Sequence, residues 1–156
     1  MTSTTLISGI LSILILAWLL TNQLRLRPLR SLRRRSMIGI ALIVGGIFQA
    51  LPFLQTHPLN AVDFALLALS LLIGMGLATV RARTINFFPR EDRLYIRGTW
   101  LTAALWIVGI AQHLLMDALI TPGLGMATLT LYFGPVLLAQ AAVVSLRARR
   151  LEPAAA

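Results

Sequence analysis

The chain has no cysteine, no lysine, five acidic residues and two histidines. Without cysteine it can build no disulfide, thiolate metal site, iron–sulfur cluster or CxxC redox pair. If it serves a redox pathway, another molecule carries the electrons. Ser8, Ser12 and Ser70 sit in apolar runs with no nucleophile signature around them, which leaves nucleophilic triads unsupported. Gly74-Met75-Gly76 is followed by no lysine and lies inside an apolar run, so it is no phosphate loop. Aromatic residues are scattered as core and interface anchors, not as a stacking surface for bases, and no nucleic-acid partner is expected.

What is present is hydrophobic. Of 156 residues, 58% are hydrophobic and 12% charged, and the mean hydropathy is +0.84. Apolar runs of about 20 residues match a hydrocarbon core about 30 Å thick. The expectation is an all-α integral membrane protein, one domain over 1–150, with five transmembrane helices at about 6–22, 37–54, 61–80, 100–120 and 124–146. Residues 151–156 read as a disordered tail.

The net charge of +9 comes from fourteen arginines in three groups: Arg25 to Arg35, Arg81 to Arg97, and Arg147 to Arg150. Basic groups beside membrane spans mark the cytoplasmic side. With five spans, every arginine falls on that side, the N-terminus lies outside and the C-terminus inside. The first run has no positive residue before it and arginines after it, so it reads as an anchor and not a signal peptide. Arg33, Arg34, Arg35, Arg93 and Arg97 are the residues placed to meet anionic headgroups or a membrane partner.

Between spans three and four, Ile85 and Phe87 alternate with polar residues before Pro89-Arg90-Glu91-Asp92, and Leu94 and Ile96 alternate after it. That pattern predicts a short cytoplasmic β-hairpin with Ile85, Phe87, Leu94 and Ile96 on one face. Glu91 and Asp92, at its tip, read as solvated turn residues.

Small residues recur on one side of span two (Gly39, Ala41, Gly45, Gly46, Gln49, Ala50) and span three (Ser70, Gly74, Ala78), predicting close helix approach. In span five Thr128, Tyr132, Pro135 and Ala139 share helical spacing, and Gly134-Pro135 predicts a kink. Asn60 and Asp63 have the spacing of an N-cap and its acidic third residue. Thr121-Pro122-Gly123 predicts the tight turn into span five.

The arrangement resembles the CcdC-like family, small bacterial membrane proteins named for a gene neighbourhood associated with cytochrome c maturation. The resemblance lies in Asn22-Gln23-Leu24-Arg25-Leu26-Arg27-Pro28-Leu29-Arg30, in Arg81-Ala82-Arg83-Thr84-Ile85, and in Arg97-Gly98-Thr99-Trp100-Leu101-Thr102 continued by Trp106. It implies a plasma-membrane protein with no catalytic residue among these motifs. Such proteins tend to carry an acidic residue followed by Gly at the hairpin tip. This chain has Glu91-Asp92-Arg93, which predicts a wider loop.

Chemistry concentrates in span four, where Thr99, Thr102, Trp106, Gly109, His113 and Asp117 fall on one helical face that must look toward protein. His57, Asp63, His113 and Asp117 are the only histidines and acids outside the arginine-rich segments and their tail, all expected in the outer half. As candidates, Asp117, His113 and Asp63 are the catalytic set, and His57 and His113 could ligate a haem. Only His113 and Asp117 are fixed on one face, a spacing that is no metal signature, and no cofactor or metal is expected. A His113–Asp117 hydrogen bond that satisfies both groups is the simpler reading. Two functions follow: a non-catalytic accessory or assembly protein that binds a membrane partner or a second copy of itself, or an enzyme or cofactor protein with an outward-facing polar site acting on a lipid or isoprenoid.

Overall fold

The computed structural model describes residues 21, 24–29, 32–90, 93–117 and 119–151. Nearly all of the expected first span and tail, with Glu91 and Asp92, lie outside the described residues. Four helices are described: α1 (Leu32–Thr56), α2 (Ala61–Arg83), α3 (Trp100–Asp117) and α4 (Leu124–Leu151). Beside them are three short strands, β1 (Arg27–Pro28), β2 (Asn86–Arg90) and β3 (Arg93–Arg97). Three helices, α1, α2 and α4, are long and apolar enough to cross a membrane. The 18 residues of α3 end at Asp117 and not at Ile120, which instead packs into the following turn.

Helix α4 is the hub. It packs most extensively on α1 and then on α2, while α3 leans mainly on α2. The α1–α4 contact is a meeting of backbones: a Cβ added at Gly39 would fall 3.2 Å from the Gly134 carbonyl, and one added at Gly134 would fall 2.9 Å from the Gly39 carbonyl. The expected small-residue side of α1 divides in two. Gly39, Gly46 and Ala50 are buried against α4, while Ala41 and Gly45 look outward. On α2 the seam holds, with Ser70, Gly74 and Ala78 all buried.

The outward faces are strongly apolar. Phe48, Phe64, Leu72, Leu115 and Leu119 are each more than 60% exposed, a pattern that suits a hydrocarbon surround and not water.

All three strands lie at the end where α2 stops and α3 begins. β2 and β3 form the expected hairpin, in register from Asn86↔Arg97 to Arg90↔Arg93. That register leaves two residues between the strands, so the wider loop expected from Glu91-Asp92-Arg93 is not what closes it. Pro89 sits within β2, an edge strand, where a residue without an N–H is tolerated. Ile85 and Ile96 are buried with Ala82 and Val144, and Phe87 packs against them, as the alternation required. Strand β1 has no signature of its own in the sequence. Arg27 and Pro28 pair antiparallel with Ile96 and Tyr95, extending the hairpin to a sheet of order β1-β3-β2.

Arg147 ties this end together. Its Nη1 donates to the carbonyls of Ala82, Arg83 and Ile85 at 2.6, 3.0 and 3.1 Å, capping α2 with a positive charge where the helix dipole favours one. From the sequence, Arg147 is only one of the arginines that mark the cytoplasmic side.

Candidate functional site

The polar stripe of α3 turns inward as expected: Thr102, Trp106, Gly109 and His113 are buried, while Leu101, Val108, Leu115 and Leu119 are exposed. Thr99 and Thr102 start the helix by bonding reciprocally to each other's backbone N–H at 3.3 and 2.9 Å. Thr102 also meets Thr84 of the α2 C-cap, Oγ1 to Oγ1 at 2.7 Å.

His113 joins three helices. Its Nδ1 lies 2.9 Å from Ser70 Oγ on α2, and its Nε2 lies 3.0 Å from the Gly125 carbonyl on α4. A carbonyl only accepts, so Nε2 carries hydrogen; with the ring neutral, Nδ1 accepts from the Ser70 hydroxyl. Gln112 Nε2 donates to Ser70 Oγ at 3.0 Å, which completes the relay Gln112 to Ser70 to His113 to Gly125. The Tyr132 ring stacks on the imidazole at 4.3 Å between centroids, and its hydroxyl donates to the Gly109 carbonyl at 2.9 Å. Gly74 makes room for that ring, since a Cβ there would fall 2.5 Å from Tyr132 Cε2.

Asp63 and His57 are not drawn to this point. Asp63 closes a capping box with Asn60, accepting from the Asn60 N–H at 3.1 Å while its own N–H donates to Asn60 Oδ1 at 2.9 Å. The same carboxylate accepts from the Thr121 N–H and hydroxyl, both at 3.1 Å, so it staples the start of α2 to the turn before α4. Gly123 lets that turn close, with φ +90°, a left-handed conformation that disfavours a side chain. Asp63→Ala removes the cap and the staple together and is expected to cost about 1–3 kcal/mol, read as a lower Tm in detergent. A Tm within a degree of the parent would show that Thr121 is held by something else.

His57 is exposed, stacked on Phe53 at 4.4 Å, with Nδ1 2.9 Å from Thr56 Oγ1. Asp117 ends α3, and its side chain lies outside the described residues, as do those of Arg33, Arg35 and Arg93. Arg33, Arg34 and Arg35 stand on the first turn of α1 and not in a loop. Cations there oppose the helix dipole and are not explained by it. Arg97 Nε donates to the Leu24 carbonyl at 3.1 Å, holding the segment that leads into β1. Among the described residues no three His, Cys, Asp or Glu side chains come together as a metal-binding group.

A second buried cluster went unforeseen. Arg81 belongs by sequence to the arginines that mark the cytoplasmic side, yet it is 1% exposed. Its guanidinium lies 3.6 Å from the Trp106 ring centroid, and its Nε donates to Gln140 Oε1 at 3.2 Å. The signal was present: Ser70, Gly74 and Ala78 step along one face of α2, and three residues more reach Arg81. On α4 the steps Thr128, Tyr132, Val136 reach Gln140 in the same way.

The chain matches no protein family, no curated protein and no solved structure in comparison.

Proposed function

We propose that the chain is a non-catalytic accessory or assembly protein of the bacterial plasma membrane, multi-pass, N-terminus outside and C-terminus cytoplasmic, which holds a membrane partner. The observation that carries this reading is the use made of the polar core. Both His113 nitrogens, the Asp63 carboxylate and the Tyr132 hydroxyl are engaged in holding helices to one another. Gly39, Gly46, Ala50, Ser70, Gly74 and Ala78 are likewise spent inside the bundle. What remains for a partner is the outward apolar surface and the arginine-bearing end with its sheet. The likeness to CcdC-like proteins, if it reflects kinship, would link that partner to cytochrome c maturation.

Phe88 on β2 is 40% exposed and Val108 on α3 is 50% exposed, one on the sheet and one on the outward face of a helix. A photoreactive residue at position 88, expressed in the native membrane, is expected to give a discrete membrane-protein adduct that Arg97→Ala weakens. Diffuse lipid adducts from both 88 and 108, with no protein band from 88, would overturn the sheet as a docking surface.

A further inference from the structure

We infer that the cleft between α2, α3 and α4 at Arg81 and Trp106 binds the phosphate oxygen of an anionic membrane amphiphile. The cleft is lined by Gly74, Leu77, Arg81, Trp106, Gly109 and Tyr132, with Ile110, Phe133 and Val136 completing it. Two of its buried donors, Arg81 Nη2 and Trp106 Nε1, have no hydrogen-bond partner among the described residues. A buried donor left unmet costs about 1–3 kcal/mol, and more when charged. Two in one cleft call for an acceptor that the helices do not supply.

The acceptor is an anion because Arg81 carries a charge that no described carboxylate answers; its one hydrogen-bond partner among the described residues is the neutral Gln140. Asp63 is engaged at the opposite end of α2, and Asp117 lies eleven residues beyond Trp106 along α3. Glu91 and Asp92 follow the far end of β2, and Glu152 follows the last residue of α4. A guanidinium and an indole N–H together suit a phosphate oxygen, the first by charge and the second as a neutral directional donor.

Depth selects a membrane amphiphile. Arg81 is two residues from the end of α2, and Trp106 is six residues into α3. At about 1.5 Å per residue both stand near the boundary where headgroups meet hydrocarbon. Beyond Arg81, toward the middle of α2 and α3, the lining is apolar at Leu77 and Ile110, so the chains of an amphiphile with its head at Arg81 would meet apolar side chains. The cleft is closed, with no room for a water molecule, so an entering oxygen must displace one of the half-buried walls, Leu77, Ile110 or Phe133. This site goes beyond the partner-binding reading, and failure of the sheet cross-link would leave it standing.

The test uses the full chain in dodecyl maltoside carrying Trp18→Phe and Trp100→Phe, so that Trp106 is the sole indole. Dioleoylphosphatidylglycerol is expected to shift Trp106 emission saturably, and dioleoylglycerol, the same tails without phosphate, is expected to leave it unchanged. In the otherwise native chain, retained lipid counted by native mass spectrometry is expected to fall about tenfold or more in Arg81→Gln and several-fold in Trp106→Phe. Trp106→Phe keeps a ring for the guanidinium to stack on and deletes the N–H, so it remains informative if Arg81→Gln fails to fold. Arg149→Gln, which removes an exposed charge, should retain lipid as the parent does. An equal response to dioleoylglycerol, or undiminished retention in folded Trp106→Phe, would overturn the site. Inorganic phosphate producing the same saturable shift without lipid would overturn the membrane source in favour of a soluble phosphate.

Discussion

Gly46→Ala is expected to destabilise the bundle by about 2–3 kcal/mol, whereas Gly45→Ala, one residue away on the same helix, should leave it unchanged or raise its stability by up to about 1 kcal/mol. A Cβ at Gly46 would stand 2.5 Å from Leu131 Cα and 2.8 Å from Leu131 Cβ, and at Gly45 it would meet nothing within 4 Å. The obstacle at Gly46 is backbone, so no rotamer change relieves it; α1 and α4 must separate. Because α1 makes its main contact with α4, that separation is felt along the helix. At Gly45 there is only the gain in helix propensity from filling an outward position. Thermal unfolding of the detergent-solubilised variants, followed by circular dichroism, compares the two directly. Equal shifts would mean that α1 is rotated from the orientation described. Gly74 and Gly76 on α2 repeat the contrast, since a Cβ at Gly74 would strike the Tyr132 ring and one at Gly76 would meet nothing.

The Gly45–Gly46 pair also shows where sequence reading loses resolution. In a soluble helix the apolar residues mark the buried face, but in this chain the outward residues are as apolar as the inward ones. Phe48 and Leu72 face out while Val136 and Val144 face in, so periodicity alone cannot orient α1. Orientation was legible only where polar residues broke the monotony. The stripe from Thr99 to His113, the Ser70–Gly74–Ala78 seam, and the Asn60–Asp63 cap all stand where the spacing put them. The hairpin was legible because strand alternation has a different period from the flanking helices.

What was not legible is non-local. Pairing of Arg27 with Ile96 depends on two segments 69 positions apart, and the two-residue strand β1 contains a proline that argues against strand by itself. The Asp63–Thr121 staple spans 58 positions. Arg81 failed for a different reason. Arginine beside arginine-rich sequence is ordinarily solvated, and the face of α2 that carries it had to be extended by one more turn to see that it points inward. The same extension reveals Gln140, its partner. The candidate site was therefore half visible: His113 was identified, but its partners Ser70 and Gly125 and the separate Arg81–Trp106 cluster needed the assembled helices.

Replacing His113 with Ala is expected to be the most damaging single truncation, at about 3–4 kcal/mol. The imidazole is 2% exposed and stands between α2, α3 and α4, so its loss opens a cavity at their meeting point. It also removes the bonds to Ser70 and Gly125 and the ring beneath Tyr132. Deleting it leaves the Ser70 hydroxyl without that acceptor in an apolar surround, where water does not readily substitute. His113→Phe separates the parts: it fills the volume and keeps the stack, and should recover roughly half of the loss, leaving the cost of the two hydrogen bonds. Detergent unfolding of both variants reads the stability, while elemental analysis and a visible spectrum of the parent and His113→Ala read the alternative chemistry. A haem band or near-stoichiometric metal in the parent that vanishes from a His113→Ala protein of unchanged Tm would make His113 a ligand and would sink the accessory-protein reading. A lowered Tm in His113→Ala, partly restored in His113→Phe, requires instead that this histidine be a joint between helices, because phenylalanine can replace its packing but can neither ligate a metal nor carry a proton.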